Sequence, residues 1–301
     1  MDFGFRDVLA ARERVYRLAY RTPLVEESPL SARFGGLVLS KLENIQNSGS
    51  FKIRGAANKV LSLDPSSVPG VVAASAGNHA RGVARAARAA SIPATLVMPR
   101  WAPVAKSAAA RLEGGGTARV LPFGESFDEA SRHAREIAAR EGLVLVPPFD
   151  DPLVIAGQGT LGLEILEGGG TPGSIYLPVG GGGLLAGIGA AVKENHPEVE
   201  LVAVQAEGAS SLVPSLAQGR PVECPGPRTI ADGIAVKSMS ERTFEAAARW
   251  VDEAVVVDDE EIAAAILYAL EEMKTVLEGA GAAALAALLY RRPPRRFPPP
   301  S

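Results

Sequence analysis

The sequence predicts an α/β fold, because strand-like and helix-like segments alternate along the chain. Short apolar runs, most of them bounded by Gly, Pro or charged residues, have the length of buried strands. Segments with apolar residues at helical spacing lie between these runs. Such alternation is typical of βαβ units, which build a mostly parallel sheet with helices on both faces.

Eight runs carry the strand pattern and six segments carry the helical pattern. Ser126 and Gly142 mark the ends of one helix, since serine is a favoured N-cap and glycine a favoured stop. The predicted strands are GLVLSKL (36–42), GVVAAS (70–75), ATLVMP (94–99), ARVLPF (118–123), LVLVPP (143–148), SIYLPV (174–179), ELVAVQA (200–206) and EAVVVD (253–258). The predicted helices cover residues 77–91, 104–113, 126–142, 156–166, 184–194 and 258–276.

Composition predicts a soluble globular protein that binds a small molecule. The chain is 47% hydrophobic and 22% charged, and its net charge of -3 gives no basic surface for nucleic acid or an anionic membrane. Cys224 is the single cysteine, which excludes an intrachain disulfide and fits a reducing cytoplasm. The charged N-terminus is unlike a signal peptide, and no apolar run approaches the roughly 18 residues of a membrane span.

Two loops that follow predicted strands carry residues suited to chemistry, since ligands of parallel sheets bind beyond the carboxyl ends of the strands, and a separate turn adds a lysine. Gly180–Gly183 follow a predicted strand and open a helix, and backbone N–H groups at such a place favour an anion such as phosphate. Asn78 and His79 begin another helix, where a cap and a surface histidine are the ordinary interpretation. Lys52, one of seven lysines, follows a Ser-Gly-Ser-Phe turn and stands at the predicted start of a helix. A lysine amine and a phosphate cradle together suit pyridoxal phosphate.

Seven ordered motifs resemble the threonine dehydratase and serine racemase branch of the fold-type-II pyridoxal phosphate enzymes, which are similar to the tryptophan synthase β chain. The resemblance covers residues 21 to about 288. The motifs are RTPL, KLENIQNSGSFKIRGA, SAGNHARGVA, DDPLVIAGQGTLGLEI, PVGGGGLLAGI, TIADGIAVK and LEGAGAAALAALL.

The resemblance implies a role for each matching residue. Lys52 would hold the cofactor through its aldehyde and then act as the base at Cα of the substrate. Phe51 would pack beside the cofactor ring, and Asn78 would hydrogen-bond its phenolic oxygen. The remaining residues fall into three groups: Gly180, Gly181, Gly182, Gly183 and Leu184 for the phosphate; Ser75, Ala76, Gly77, Asn78 and His79 for the substrate carboxylate; and Gly233 and Glu278 near the ring.

The same resemblance implies the domain organisation. It predicts two open, mostly parallel sheets flanked by helices, in a large cofactor-binding domain (1–67 and 148–301) and a smaller mobile substrate-binding domain (68–147). The cofactor would lie in the cleft, and relatives are usually homodimers or homotetramers.

Two departures from the family pattern carry expectations of their own. Some relatives bind a cation with two carboxylates where this chain has Gln205 and Ser211, so we expect no tightly bound divalent metal there. The residues 291–301, RRPPRRFPPPS, stand where relatives have a strand and a serine that meets the pyridine nitrogen. We expect a shifted reading frame or a truncation at this end.

The activity implied is deamination of L-threonine to 2-oxobutanoate and ammonia, with weaker action on L-serine giving pyruvate. Serine racemase is one alternative, although racemases have a serine where this chain has Ala76, and that serine returns a proton to the opposite face. A family member that binds phosphate or cofactor without turnover is the other alternative. Lys52 separates these classes, because a binding protein has no need of a reactive lysine.

Overall fold

The computed structural model describes residues 1–291, so the predicted change of reading frame or truncation lies almost wholly outside the described residues. In the described part the strands are β1 (Leu24–Glu26), β2 (Leu39–Lys41), β3 (Val71–Ala74), β4 (Ala94–Met98), β5 (Ala118–Pro122), β6 (Val144–Leu145), β7 (Ser174–Pro178), β8 (Glu200–Ala206) and β9 (Glu253–Val257). The helices are α1 (Phe5–Tyr16), α2 (Ser28–Phe34), α3 (Lys52–Val60), α4 (Asn78–Ala90), α5 (Val104–Gly114), α6 (Phe127–Glu141), α7 (Pro152–Gly169), α8 (Gly183–Val192), α9 (Leu212–Gln218), α10 (Glu241–Trp250), α11 (Asp259–Glu271) and α12 (Gly279–Ala286).

The chain forms two compact units. The first, here named the lysine unit, comprises Arg6–Arg21 and Ile45–Thr160. The second, the glycine-loop unit, comprises Met1–Phe5, Thr22–Asn44 and the described residues from Leu161 onward. The domain limits at residues 68 and 147 that the resemblance implies remain a prediction.

The lysine unit is built on a parallel sheet with strand order β5-β4-β3-β6. Successive side chains of a strand point to opposite faces, and the two faces of β3 and β4 pack against different helices. Val71 and Leu96 belong to the core that α3, α4 and α5 cover. Val72 and Val97 belong to a second core beneath α6. Both faces are therefore buried, as the continuous apolar runs predict.

The termini of α6 confirm the signals that the sequence gives for them. The Ser126 side chain accepts a hydrogen bond from the backbone N–H of Glu129, which satisfies one of the N–H groups that a helix start leaves open. Gly142 ends the helix in the left-handed region, with φ of 67°.

The glycine-loop unit contains the parallel sheet β7-β8-β9 and the antiparallel pair β1-β2. Val202 and Val204 of β8 pack with Ile262 of α11 and with the alanines of α12 in one core. The α/β class with parallel sheets and flanking helices is thus confirmed. All eight predicted strand regions contain a strand, but the first of them (36–42) belongs to the antiparallel pair.

Close packing between α3 and α7 holds the lysine unit together where α3 begins. A Cβ added at Gly157 would lie 2.6 Å from the carbonyl oxygen of Arg54 and 2.7 Å from Cα of Gly55. Arg54 itself is fully buried and donates hydrogen bonds to Oγ1 of Thr160 and the carbonyl of Tyr20. The two backbones therefore touch, and glycine is required at position 157.

We expect Gly157→Ala to destabilise the protein by about 1–3 kcal/mol, because the new methyl group overlaps backbone atoms that cannot turn away. Gly281→Ala is the matched control: this exposed glycine of α12 has only Leu277 near its Cβ position, at 4.0 Å. Alanine there should stabilise by roughly 0.5 kcal/mol through helix propensity. Urea unfolding of both variants measures the difference, and equal midpoints would contradict the close contact.

Candidate active site

The Ser-Gly-Ser-Phe turn sets Lys52 at the first position of α3. Gly49 has φ of +79°, a conformation that residues with a Cβ rarely adopt, so the turn needs glycine at this position. The hydroxyl of Ser50 accepts a hydrogen bond from the backbone N–H of Lys52 at 3.3 Å. The sequence prediction that this lysine stands at the start of a helix is confirmed.

The half-buried Lys52 amine is held by a carbonyl and an aromatic ring. Its Nζ donates to the carbonyl oxygen of Pro148 at 3.0 Å and lies 5.1 Å from the centroid of the Phe51 ring. The oxygen attracts the ammonium electrostatically, and so does the face of the ring. The amine thus has a defined position in the lysine unit.

A second helix, α4, brings the loop Ser75–His79 to the same region. A Cβ on Gly82 of α4 would lie 3.3 Å from the carbonyl oxygen of Lys52 and 3.2 Å from Cα of Ile53, so the two helices are in backbone contact. The Ser75 hydroxyl accepts from the N–H of Gly77 at 3.1 Å and shapes the turn before α4. The first N–H groups of a helix have no acceptor within the helix, so this end favours an anion.

His79 is buried rather than exposed. Only 3% of its surface is accessible, and its Nε2–H donates to the carbonyl of Val146 at 2.9 Å. Burial, together with the positive charge of Lys52, lowers the pKa of His79 to about 4. The ring is therefore neutral at pH 7, and the surface-histidine interpretation considered from the sequence is wrong for this residue.

In the glycine-loop unit, the four glycines connect β7 to α8. Gly182 has φ of +87°, and a Cβ there would lie 2.4 Å from Cε of Met239 and 2.9 Å from Cβ of Thr243. A Cβ on Gly180 would lie 3.0 Å from Cα of Ile234. Neighbouring residues therefore pack tightly against the loop. Helix α8 begins at Gly183, and Leu184 is its second residue. Its backbone N–H groups and the helix dipole suit a phosphate.

Gly233 and Glu278 lie close together in the same unit. A Cβ on Gly233 would stand 3.6 Å from Oε1 of Glu278 and 2.9 Å from Cβ of Ala280. Gly233 belongs to a short 3₁₀ turn, Asp232–Ile234, and the last residue of this turn contacts Gly180. The glycine loop, the Gly233 turn and Glu278 are thus neighbours.

Two contributors to the lysine site were not predicted from the sequence. The Gln158 side chain is buried, and its Oε1 accepts from the backbone N–H of Gly55 in the first turn of α3 at 3.0 Å. The Pro148 carbonyl holds the lysine itself. Gln158 belongs to the motif GQGT, which the resemblance includes without giving this residue a role, and a backbone carbonyl leaves no signal in a sequence.

Three comparisons with known proteins bear on this arrangement. The family model for pyridoxal-phosphate dependent enzymes matches residues 15–300. The chain belongs to the pyridoxal-phosphate dependent enzyme family. It is 49% identical to an L-threonine ammonia-lyase of Thermotoga maritima over 274 residues, 91% of this chain and 68% of that protein.

Solved structures of the family resemble the fold throughout. The crystal structure of a T.th. threonine deaminase has a TM-score of 0.90 and 41% identity, covering 96% of this chain and 93% of that one. Maize serine racemase has a TM-score of 0.92 and 33% identity, covering 97% and 88% respectively.

The residues present fit the family's cofactor. The lysine unit offers an amine beside an aromatic ring, and the glycine-loop unit offers an anion cradle that a Cβ at Gly180 or Gly182 would disturb. No group of three or more His, Cys, Asp or Glu residues suited to a metal occurs within residues 1–291. Gln205 uses its amide to bind the carbonyl of Val179 and the N–H of Leu212, and the absence of a divalent metal there stays a prediction.

We expect Gly182→Ala to weaken binding of pyridoxal phosphate at least tenfold, because alanine is strained at this φ and its methyl group meets Thr243. Tenfold corresponds to about 1.4 kcal/mol. Gly170→Ala is the matched control, with φ of +72° and open space around its Cβ position, and should bind as the parent does. Absorbance titration with the cofactor measures both. Equal affinities for the two variants would contradict the cradle.

Proposed function

We propose that this chain is a pyridoxal phosphate-dependent ammonia-lyase that deaminates L-threonine to 2-oxobutanoate and ammonia, and L-serine more weakly to pyruvate. The position of Lys52 is the observation that carries the proposal: it is the first residue of α3, with its amine beside Phe51 and on the Pro148 carbonyl. Support comes also from relatives at 42–49% identity that are named L-threonine ammonia-lyase or L-threonine dehydratase.

Each residue of the site has a task in this proposal. Pyridoxal phosphate, when bound, supplies an aldehyde that bonds to amines and a ring that withdraws electrons from Cα of the substrate. Lys52 would bind the aldehyde carbon and, once the substrate amine has displaced it, accept the Cα proton at Nζ. Phe51 would pack beside the ring, and the Asn78 amide would bond its hydroxyl oxygen.

The anionic groups would be bound by main-chain N–H groups. Gly180–Leu184 would hold the phosphate at the start of α8. Ser75–His79 would hold the substrate carboxylate at the start of α4. Gly233 and Glu278 would lie near the ring. Loss of the Cα proton and of the β-hydroxyl group, together one water, would leave an unsaturated amino acid, which water would then hydrolyse to a 2-oxo acid and ammonia.

Racemisation is the second candidate, since a serine racemase is among the similar structures. Racemisation needs a second acid on the face of the substrate opposite Lys52. The loop has Ala76 at the position where racemases have that serine, and a methyl group neither gives nor takes a proton. Elimination is therefore the reaction that this loop favours.

The proposal also covers domain motion, assembly and location in the cell. We propose that residues 68–147 move as a substrate-binding domain, that the protein is a homodimer or homotetramer, and that it works in the cytoplasm without nucleic acid or membrane partners. No helix in residues 1–291 is long and apolar enough to cross a membrane.

We expect Lys52→Ala to abolish the visible absorbance band of the purified yellow protein and to lower kcat for L-threonine at least a hundredfold, because both need the amine. Lys106→Ala, which changes a lysine of α5 outside the site, should keep band and activity. Absorbance spectra and a 2-oxobutanoate assay measure these effects. A colourless parent protein with full activity would contradict the proposal.

We expect the parent chain to form negligible D-serine from L-serine, and Ala76→Ser to raise D-serine formation relative to pyruvate at least tenfold. The introduced hydroxyl would supply the proton on the opposite face. Chiral chromatography of the serine reaction measures both products. D-serine accumulating from the parent at a rate near that of pyruvate would overturn the assignment as an ammonia-lyase.

A further inference from the structure

The segment Val146–Pro148, which follows β6, lacks backbone donors where it meets the site. The N–H of Val146 bonds to the carbonyl of Val72 at 2.9 Å and continues the sheet. Residues 147 and 148 are both proline and have no N–H. Beyond Val146 the segment can therefore be held by hydrogen bonds only through its carbonyl oxygens.

Two side chains donate to those carbonyls. Lys52 donates to Pro148 at 3.0 Å, and His79 donates to Val146 at 2.9 Å. They come from the starts of α3 and α4, and they lie 96 and 67 residues from their acceptors. One short segment thus connects the reactive lysine with the loop that begins α4.

The His79 bond has a defined chemistry. A carbonyl oxygen can only accept, so the proton lies on Nε2 and the ring is the corresponding neutral tautomer. Nδ1 is buried and has no hydrogen-bond partner in the described structure, which agrees with a bare lone pair at that atom. The histidine therefore donates one hydrogen bond and adds no charge beside the lysine.

We propose that His79 is a positioning residue for Lys52: it fixes the Val146–Pro148 segment, and that segment holds the lysine amine where it reacts. The inference rests on the proposed function, in which Lys52 leaves the Pro148 carbonyl whenever it bonds to the cofactor or takes a proton. The bond from His79 persists through those changes, so the acceptor for Lys52 stays in place while the amine moves.

Two substitutions separate the donor from the bulk of the ring. His79→Gln keeps an N–H donor at about the distance of Nε2 from the backbone, whereas His79→Leu fills similar space without a donor. His133→Leu is the control, because His133 stacks on Phe123 at the surface of the lysine unit and bonds Glu136.

The first measurement uses the full-length protein after removal of cofactor, with pyridoxal phosphate added back. We expect His79→Leu to slow the appearance of the visible band at least tenfold, and to lower kcat for L-threonine at least tenfold with KM within about threefold. His79→Gln should be at least fivefold faster than His79→Leu in both rates. His133→Leu should stay within twofold of the parent.

A purely structural role of His79 gives a different result. The melting temperature of His79→Leu then falls, but its folded fraction regains the visible band and turns over L-threonine at rates within twofold of the parent. That result overturns the proposal, and so does a His79→Gln rate no better than that of His79→Leu. If His79→Leu does not fold, His79→Asn takes its place, since its shorter amide does not reach Val146.

A second measurement keeps this inference separate from the proposed function. Competitive acetylation of the cofactor-free chain, read by peptide mass spectrometry, gives the reactivity of the Lys52 amine directly. We expect the acetylation rate of Lys52 to change at least threefold, in either direction, in His79→Leu. In His79→Gln the change should be less than half as large. A parent that forms no visible band refutes the proposed function, while unchanged acetylation in His79→Leu refutes the positioning role.

Discussion

The contact between the backbones of α3 and α7 fixes the position of Lys52, the lysine proposed to react. Gly157 leaves no room for a methyl group against Arg54 and Gly55. On another side of α3, Gly82 allows the backbone of α4 to pack against Lys52 and Ile53. A helix held by backbone contacts on two sides has little freedom to shift, since protein interiors are close-packed and have low compressibility. The first residue of α3 is then positioned by packing rather than by its own side chain.

Polar contacts add to this packing in holding the start of α3 in place. Gln158 accepts the Gly55 N–H in the first turn of α3, where the N-cap residue Phe51 offers no side-chain acceptor. The glycine loop follows the same logic in its own unit, where Met239 and Thr243 occupy the space that a side chain on Gly182 would need. In both units glycines allow the close approach of neighbouring backbone or side-chain atoms.

Much of the fold follows from local sequence patterns. The continuous apolar runs predict β3, β4, β7, β8 and β9, and Ser126 with Gly142 predicts the ends of α6, because strands buried on both faces and capped helices leave local signals. The strand β1 was not predicted, since Leu24–Glu26 holds only two apolar residues and shows no run of strand length. The six predicted helical segments also leave out α1, α2, α9, α10 and α12, and of α3 only the start was expected. The antiparallel pairing of β2 depends on β1 and could not be inferred without it.

The candidate site likewise contains residues that local motifs predict and long-range contacts that they do not. Lys52, Asn78 and the four glycines were proposed as site residues because they stand in motifs at strand and helix ends that carry the resemblance. Contacts that join distant parts of the chain, such as Gln158 to Gly55 and Lys52 to Pro148, span 103 and 96 residues. Nothing local encodes them. The burial of His79 likewise depends on the sheet beneath it, so its sequence neighbours suggested a surface residue.

Lys52 is proposed as the residue that carries the cofactor, and mapping the point of attachment tests this assignment. The purified protein would be reduced with borohydride, digested with trypsin and analysed by mass spectrometry. We expect the cofactor mass on the peptide Leu42–Arg54, with cleavage blocked after Lys52. Attachment to any of the other six lysines, or no attachment to a protein that is active, would contradict it.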